Sequence, residues 1–216
     1  MVITSFETAK RRVDVWVPSD GHTGPRPVLV MHDGGNLFDD ATAAFGVSWR
    51  IPEAIQACAD LGPQPVVIGA WNTGVTRAAE YAPERVIRQN PNEAYQFVGV
   101  QVTEPLSGDD YQRELALEIL PRVAEITALD LRPTHVAIAG SSMGGLASLY
   151  GMALYPEIYG TALCLSTHWA MSTEKFACDL VAMLPDADRG NRVWLDHGTD
   201  GLDAEYGPTQ AVVDIA

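Results

Sequence analysis

The chain has 216 residues, enough for one domain with a sizeable hydrophobic core. Hydrophobic residues make up 47% of it and charged residues 19%, the balance of a soluble globular protein. Because 28 acidic side chains outnumber 14 basic ones, the net charge of -14 argues against nucleic acid or an anionic membrane as a partner.

The amino-terminal residues lack the basic head, apolar centre and cleavage site of a signal peptide. No apolar run approaches the roughly 18 residues needed to span a bilayer. Cys58, Cys164 and Cys178 are odd in number and unpatterned, which predicts three reduced thiols. We therefore expect a cytoplasmic protein with one domain over residues 1–216.

The first part of the chain predicts three strands and one helix. RRVDVWVP (11–18) alternates polar and apolar residues, as a half-buried antiparallel strand does. PVLVMH (27–32) and QPVVIGAW (64–71) are continuously apolar, which is typical of strands buried on both faces. Between them, VSWRIPEAIQACADLG (47–62) has the apolar spacing of a helix and ends at a glycine.

Residues 72–108 form a long polar segment with several prolines. Structureless segments of this length usually serve as lids or binding surfaces, so we predict an irregular loop that shapes a pocket. DDYQRELALEILPRVAEIT (109–127) then regains helical periodicity. Pro121 within it should kink or split the helix.

The remaining chain alternates strands with helices. We predict strands over THVAIAG, GTALCLST and NRVWLDHG, and helices over MGGLASLYGMALYP, STEKFACDLVAML and PTQAVVDIA. Such alternation indicates an α/β fold, with a mostly parallel central sheet and helices on both faces. The carboxyl ends of its parallel strands then share one edge, where ligands bind.

A serine stands at the end of one predicted central strand. Gly140-Ser141-Ser142-Met143-Gly144 matches the pattern G-x-S-x-G, placed after a strand and before a helix. A sharp turn between small neighbours would lift the Ser142 hydroxyl clear of the sheet. The helix amino terminus behind it would favour developing negative charge. Ser142 is therefore the candidate nucleophile, against the alternative of a glycine-rich turn without chemistry.

A nucleophile that attacks a carbonyl carbon also needs donors for the resulting oxyanion. One is expected to be the amide of Met143, directly after Ser142, and the other an amide of the loop after an earlier central strand. HDGGNLFDD occupies that place, and we choose Gly35 within it. Its aspartates are read as loop-bracing groups, and no metal site is predicted.

Four stretches resemble one known family. VLVMHDGGNLFDD, VVIGAWNTGVTRAAEYAP, IAGSSMGGLASLYGMALYPEIYGTALCLSTHW and WLDHGTDGLDAEY are similar to the putative-esterase branch of the α/β-hydrolase superfamily. That branch includes esterase D, enterochelin esterases, feruloyl esterases and mycolyltransferases. The likeness extends in order along roughly the whole chain.

The resemblance implies an α/β-hydrolase fold that apparently lacks its last strand and helix in these 216 residues. It implies hydrolysis of a carboxylic ester or transfer of its acyl group through a serine, with no cofactor. Ser142 matches the family nucleophile, and Gly35 and Met143 match the oxyanion donors. Asn72, His168 and Trp169 lie in stretches that border the substrate pocket in the family.

The acid partner is expected after the NRVWLDHG strand. Asp200 and Asp203 both qualify, and Asp203 is preferred because the family acid usually sits a few residues into this loop. Asp196 falls within the predicted strand and is less suitable. The alternative for either loop aspartate is a helix cap or a turn.

The family order requires a histidine after the acid, and none of the 13 residues beyond Asp203 is one. Three explanations stay open: the sequence is incomplete, the base has been lost, or another histidine has replaced it. His168, near the carboxyl end of a predicted strand, is the surrogate candidate. His32 and His197 also fall near strand ends, and His22 and His135 do not.

Two functions follow from these patterns. The first is a serine esterase or acyltransferase acting on a small-molecule ester. The second is a catalytically inactive binding or scaffold protein on the same fold, which the missing histidine would explain. Pairing of copies through an exposed sheet edge would give a homo-oligomer in either case.

Overall fold

A seven-stranded sheet forms the centre of the computed structural model, which describes residues 3–90, 105–171 and 173–215. Its spatial order is β1-β2-β4-β3-β5-β6-β7. The strands are β1 (Ile3–Glu7), β2 (Arg12–Trp16), β3 (Val28–Met31), β4 (Val66–Ala70), β5 (Val136–Ser141), β6 (Thr161–Leu165) and β7 (Arg192–Leu195). β3 to β7 are parallel, and β1 and β2 join one side of them antiparallel.

The helices cover both faces of this sheet, as an α/β-hydrolase fold requires. They are α1 (Ile51–Ala57), α2 (Arg77–Tyr81), α3 (Glu84–Gln89), α4 (Gly108–Glu114), α5 (Leu120–Ile126), α6 (Met143–Leu154), α7 (Glu174–Val181) and α8 (Gly207–Val213). The buried apolar residues divide into a large cluster and a smaller one. Among the described residues, no helix is long and apolar enough to cross a membrane.

The sequence-based expectations for the strands are confirmed, since each predicted run overlaps one of β2 to β7. Val66 to Ala70 are buried throughout, in agreement with a central position for β4. β1, which alternates without a strong apolar pattern, was not predicted. It pairs with β2 from Ile3 opposite Trp16 to Glu7 opposite Arg12, so the neighbouring strand rather than its own sequence makes it a strand.

The prediction of an irregular segment over residues 72–108 is wrong for part of it. Residues 77–81 and 84–89 form α2 and α3, and residues 91–104 lie outside the described part. Pro83 separates the two helices, because the residue before a proline is pushed into extended backbone, and Ala82 adopts φ -73° and ψ 134°. Each piece is too short to show helical periodicity in the sequence.

Pro121 splits the next helical stretch, as expected. α4 and α5 are joined by a π-helical stretch, Leu115–Ile119, and Pro121 lies in the first turn of α5. A proline there lacks the N–H for one helical bond and crowds the carbonyl four residues earlier. The wider π-helical turn between α4 and α5 accommodates that clash.

Candidate functional site

Ser142 lies between β5 and α6 in a strained backbone conformation. Its φ of 58° and ψ of -121° belong to a region that residues other than glycine rarely adopt. Two backbone hydrogen bonds hold Ser142 in this conformation. The Ser142 N–H donates to the Leu165 carbonyl at 2.9 Å, and the Ser142 carbonyl accepts from the Gly145 amide at 3.0 Å. The predicted nucleophile therefore stands on a sharp strand-to-helix turn.

Two glycines permit this turn by close backbone contact. A Cβ at Gly140 would lie 2.7 Å from the Gly144 carbonyl oxygen, and one at Gly145 would lie 2.7 Å from the Thr167 hydroxyl. At Gly144, a Cβ would meet its neighbours at 3.5 Å or more, an ordinary van der Waals distance. The tight positions are thus Gly140 before Ser142 and Gly145 after it, so β5, α6 and the loop after β6 pack directly together.

The Gly140→Ala variant is expected to have a free energy of unfolding lower by about 1–3 kcal/mol, because the added methyl group overpacks the turn. Besides the Gly144 carbonyl, it would meet His32 Cδ2 at 2.8 Å, and backbone cannot move aside as a flexible side chain does. Urea unfolding measures the difference. In the matched control, Gly24→Ala, the methyl group meets only the exposed His22 ring, at 3.0 Å. Equal stability of the two variants would contradict the packing argument.

The two amides predicted to bind an oxyanion lie just beyond the carboxyl ends of β3 and β5. Met143 is the first residue of α6, a 12-residue helix whose first amides have no partner within the helix. Gly35 lies in a short 3-10 turn, Gly34–Asn36, directly after β3. In the hydrogen bonds between described residues, neither of these two amides donates to a backbone carbonyl outside its own turn or helix. Both remain candidates for stabilising an oxyanion.

Asp33 holds the loop that carries Gly35. Its backbone is left-handed at φ 55°, and its carboxylate accepts from Arg77 Nε at 2.8 Å and Arg77 Nη2 at 2.7 Å. Asn72 Nδ2 donates to the same carboxylate at 2.8 Å, and the Tyr81 hydroxyl donates to it at 3.1 Å. Tyr81 also accepts from the Asp33 amide at 3.0 Å. The loop is therefore fixed at both backbone and side chain.

The surroundings of this loop determine the protonation states of Asp33 and His32. Burial by itself raises the pKa of Asp33, but the hydrogen bonds and charge of Arg77 and the amide of Asn72 outweigh it, so this pKa lies below its usual range. Burial lowers the pKa of the neighbouring His32 to about 3, so the imidazole is neutral. His32 Nδ1 lies 2.6 Å from the Tyr111 hydroxyl. His32 thus braces the loop, as a neutral ring behind Asp33.

Asn72, predicted to bind substrate, uses its side chain within the protein. Its Nδ2 reaches Asp33, and its Oδ1 accepts from the Gly74 amide at 2.9 Å. Trp169 is buried and donates through Nε1 to Gln210 Oε1 at 2.9 Å. These contacts give both residues a structural role, and their contact with a substrate stays a prediction.

His168 is attached to the nucleophile turn by its backbone. Its amide donates to the Ser142 carbonyl at 3.1 Å, next to the tight contact between Thr167 and Gly145. Its ring is buried, and Nδ1 lies 2.6 Å from the Tyr206 hydroxyl. Burial lowers the pKa of His168, and the positive charge of Arg77 lowers it further. His168 is thus a neutral imidazole beside Ser142.

The two acid candidates occupy different environments. Asp203 Oδ2 accepts from the Ser166 hydroxyl at 2.7 Å and from the Gly198 amide at 3.1 Å, which ties the loop after β7 to the end of β6. The exposed Asp200 caps the 3-10 turn Gly201–Glu205 and accepts from the Gly201 amide. The structure therefore brings Asp203, rather than Asp200, to the edge that carries Ser142 and His168.

Tyr206 is the residue that sequence reasoning did not consider. It follows Asp203 by three positions, is only 1% exposed and contacts His168. Backbone strain marks the same edge, because Asp33, Ser142 and Ser166 all have positive φ within two residues of the ends of β3, β5 and β6. Tyr206 ends WLDHGTDGLDAEY, one of the four stretches that resemble the family. No spacing rule distinguishes a tyrosine that reaches a site from one that only packs in the core.

The fold has many counterparts among solved structures. The enterobactin esterase FES from Shigella flexneri is 18% identical to this chain, with a TM-score of 0.59. The match covers 99% of this chain and 58% of FES. The enterobactin and salmochelin hydrolase IroE is 18% identical, with a TM-score of 0.61, and the match covers 99% of this chain and 93% of IroE. An IroE-like serine hydrolase from Shewanella oneidensis is 14% identical, with a TM-score of 0.70, and the match covers 97% of this chain and 66% of that protein. At these identities the likeness establishes the α/β-hydrolase fold.

The chain spans less than two thirds of the length of the FES structures that it matches. No curated protein matches its sequence. A family model described as putative esterase matches residues 5–212, which is nearly the whole chain. The chain therefore belongs to the putative esterase family.

Proposed function

We propose that this protein hydrolyses carboxylic esters of small molecules through an acyl-enzyme formed on Ser142. The observation that carries the proposal is the strained backbone of Ser142, at φ 58° and ψ -121°, between the end of β5 and the start of α6. Strain of this kind persists only where surrounding structure enforces it, and it clusters at functional positions. Family membership supplies the reaction class.

The surrounding groups have separate roles in this reaction. The Ser142 oxygen attacks the ester carbonyl carbon, and the carbonyl oxygen becomes an oxyanion that accepts from the Met143 and Gly35 amides. The amino terminus of α6 adds a favourable dipole. Asp33, held by Arg77, keeps the Gly35 loop in position. Collapse of the intermediate releases the alcohol, and water then hydrolyses the acyl-enzyme.

Asp203 is proposed as the acidic member of the site and His168 as the group that takes the nucleophile's proton. Both residues contact the loop after β6 or form part of it. A neutral imidazole is required of a base, and the lowered pKa of His168 provides it at neutral pH. A negative charge at Asp203 would offset the imidazolium formed during the reaction.

A fluorophosphonate probe tests the nucleophile directly. It should label the chain with loss of fluoride and formation of one bond between phosphorus and the Ser142 oxygen, mapped by mass spectrometry of the peptides. Ser141→Ala is the matched control and should label as the wild type does, since its hydroxyl precedes the turn. Labelling of a different residue, or none on a chain shown to be folded by circular dichroism, would refute the proposal.

Turnover is then measured with a short-chain aryl ester. Enterobactin, in whose presence FES has been crystallised and which IroE is named for hydrolysing, is the second substrate to assay. Hydrolysis of either that disappears in Ser142→Ala would establish the reaction. Transfer of the acyl group to an added alcohol, measured in the same assay, separates an acyltransferase from a hydrolase.

A further inference from the structure

Arg77 contacts both elements that carry the proposed oxyanion donors. Its Nε and Nη2 donate to the Asp33 carboxylate at 2.8 Å and 2.7 Å, and Asp33 directly precedes the turn that contains Gly35. Its Nη1 donates to the Met143 sulfur at 3.5 Å, and Met143 is the first residue of α6. A single guanidinium therefore connects the loop after β3 to the start of α6.

The sheet by itself does not fix the spacing of these two elements. The register of β3 and β5 ends at Met31 opposite Ala139, and the His32 amide adds one bond to the Ala139 carbonyl at 3.0 Å. Asp33 and Ser142 then leave extended backbone, with φ of 55° and 58°. An oxyanion is stabilised well only when each donor lies about 2.7–3.1 Å from it. A side chain that joins the two elements beyond the sheet would maintain that spacing.

The guanidinium of Arg77 is itself held in place. Its central carbon lies 4.6 Å from the centroid of the Tyr81 ring, at the other end of α2. That ring stacks on the Tyr111 ring with centroids 5.2 Å apart, and its hydroxyl donates to Asp33 at 3.1 Å. The side chain of Arg77 is 28% exposed and that of Asp33 is 9% exposed. One aromatic ring and one buried carboxylate therefore set the position of the cation.

The Asp33 carboxylate lies beside the place where negative charge would develop. A Cβ at Gly144, in the first turn of α6, would be 3.8 Å from Asp33 Oδ2. The amino end of α6 would therefore face two anions during the reaction, this carboxylate and the oxyanion. Like charges this close repel each other strongly where water is excluded. The positive charge of Arg77 neutralises the first of the two.

We propose that Arg77 is a positioning residue for the oxyanion, which joins the two donor elements and neutralises the carboxylate beside them. This inference rests on the proposed function and goes beyond it, because it assigns a role to a side chain other than the nucleophile, the acid and the base. Arg77 acts through Asp33 and Met143, without contact to the ester. Its removal should therefore affect the transition state, where the oxyanion exists, more than the binding of the ester.

The first test replaces Arg77 by methionine, which keeps an unbranched side chain and removes the cation. The kcat for an aryl ester should fall about 10²-fold with KM little changed, since misplaced catalytic groups cost about this much. Arg77→Lys should fall between Arg77→Met and the wild type, because an ammonium keeps the charge but not the two-pronged contact. Circular dichroism checks that each variant is folded.

Arg85→Met is the matched control. Arg85 lies in the next helix, α3, and donates to Asp109 at 2.9 Å, so its loss should leave hydrolysis at the wild-type rate. A wild-type kcat in Arg77→Met, or an unchanged kcat with a raised KM, would overturn the proposal. If Arg77→Met does not fold, Arg77→Lys decides, and a wild-type kcat in that variant would overturn the proposal equally.

A double variant separates the charge of Arg77 from its packing. Arg77→Met combined with Asp33→Asn leaves no unpaired carboxylate, and the asparagine oxygen can still accept from Asn72 and Tyr81. At neutral pH its kcat should be about tenfold higher than that of Arg77→Met, because the repulsion of the oxyanion is gone. A purely structural role for Arg77 would make the second substitution neutral or harmful. That result would overturn the proposal.

The pH dependence of the same two variants checks the charge independently. In the wild type, burial raises the pKa of Asp33, but Arg77 outweighs burial and holds this pKa below its usual range. Without Arg77 the pKa of Asp33 should rise, because burial then meets less opposition. The other groups that face this carboxylate are uncharged: the amide of Asn72, the hydroxyls of Tyr81 and Tyr111, and the neutral ring of His32.

The kcat of Arg77→Met should therefore approach that of the double variant as the pH falls through the raised pKa, where Asp33 becomes neutral. Arg77 also lowers the pKa of His168, but both variants lack Arg77, so this effect cancels between them. A difference in kcat that stays constant with pH would overturn the proposal. Ser142→Ala, assayed alongside, keeps the two ideas apart: wild-type turnover independent of Ser142 would refute the proposed function itself.

Discussion

Replacement of Ser142 by alanine is expected to lower kcat/KM for an aryl ester by about 10⁴-fold, since removing the nucleophile of a serine hydrolase leaves only binding and the oxyanion donors. Stability should not fall with activity. Ser142 is only partly buried, and alanine meets the same positive φ as serine. The measurement is steady-state hydrolysis together with urea unfolding of the same preparations.

Two companion variants make this result specific. Ser141→Ala should keep wild-type hydrolysis, because Ser141 is the last residue of β5 and not the residue of the turn. Ser142→Gly should be as inactive as Ser142→Ala but more stable than it, since glycine adopts φ 58° without strain. An active Ser142→Ala protein, or an inactive Ser141→Ala one, would show that the nucleophile is misassigned.

Replacement of Arg11 by methionine is expected to lower the free energy of unfolding by about 3–5 kcal/mol, the cost of leaving buried partners without their counter-charge. Arg11 donates to Glu80 through Nη1 at 3.1 Å and Nη2 at 3.0 Å, and to Glu114 through Nε and Nη2 at 3.0 Å. The three side chains are 1%, 7% and 3% exposed. Two carboxylates would remain buried without a cation, a large loss for a domain whose total stability is about 5–15 kcal/mol.

Guanidinium chloride unfolding measures the loss, with the slope of the transition checked for two-state behaviour. Arg132→Met is the matched control, because Arg132 pairs with Asp130 on the surface and should matter little. Arg11→Lys should fall between the wild type and Arg11→Met, since an ammonium keeps the charge but not the two-pronged contact. Arg11→Met and Arg132→Met with equal stability would show that the buried network is not stabilising.

The Arg11 network also links the sheet to the site. Glu80 belongs to α2, the helix whose first residue, Arg77, holds Asp33 and whose last residue, Tyr81, contacts the same aspartate. Loosening α2 would therefore disturb the loop that carries Gly35. We expect Arg11→Met to lose some ester hydrolysis at temperatures where it is still folded.

Local sequence was sufficient for much of the site. Ser142 and its turn could be predicted from the pattern formed with Gly140 and Gly144, although the structure needs a glycine at Gly140 and Gly145 rather than at Gly144. The central strands could be predicted because burial on both faces requires uninterrupted apolar residues. β1, α2 and α3 escaped prediction because short elements carry too few residues to show a period.

The sequence by itself determined that the sheet is mostly parallel, where Ser142 lies on it and which loops surround it, since apolar runs, the alternation of strands with helices and the spacing of small residues are all local patterns in the chain. Only the tertiary structure decided which distant side chains meet there. Asp203 rather than Asp200 joins Ser166, and Tyr206 joins His168, 38 positions earlier. Such pairings depend on how β6, β7 and α8 pack, and hydrogen-bonding geometry across three elements leaves no periodic trace in the sequence.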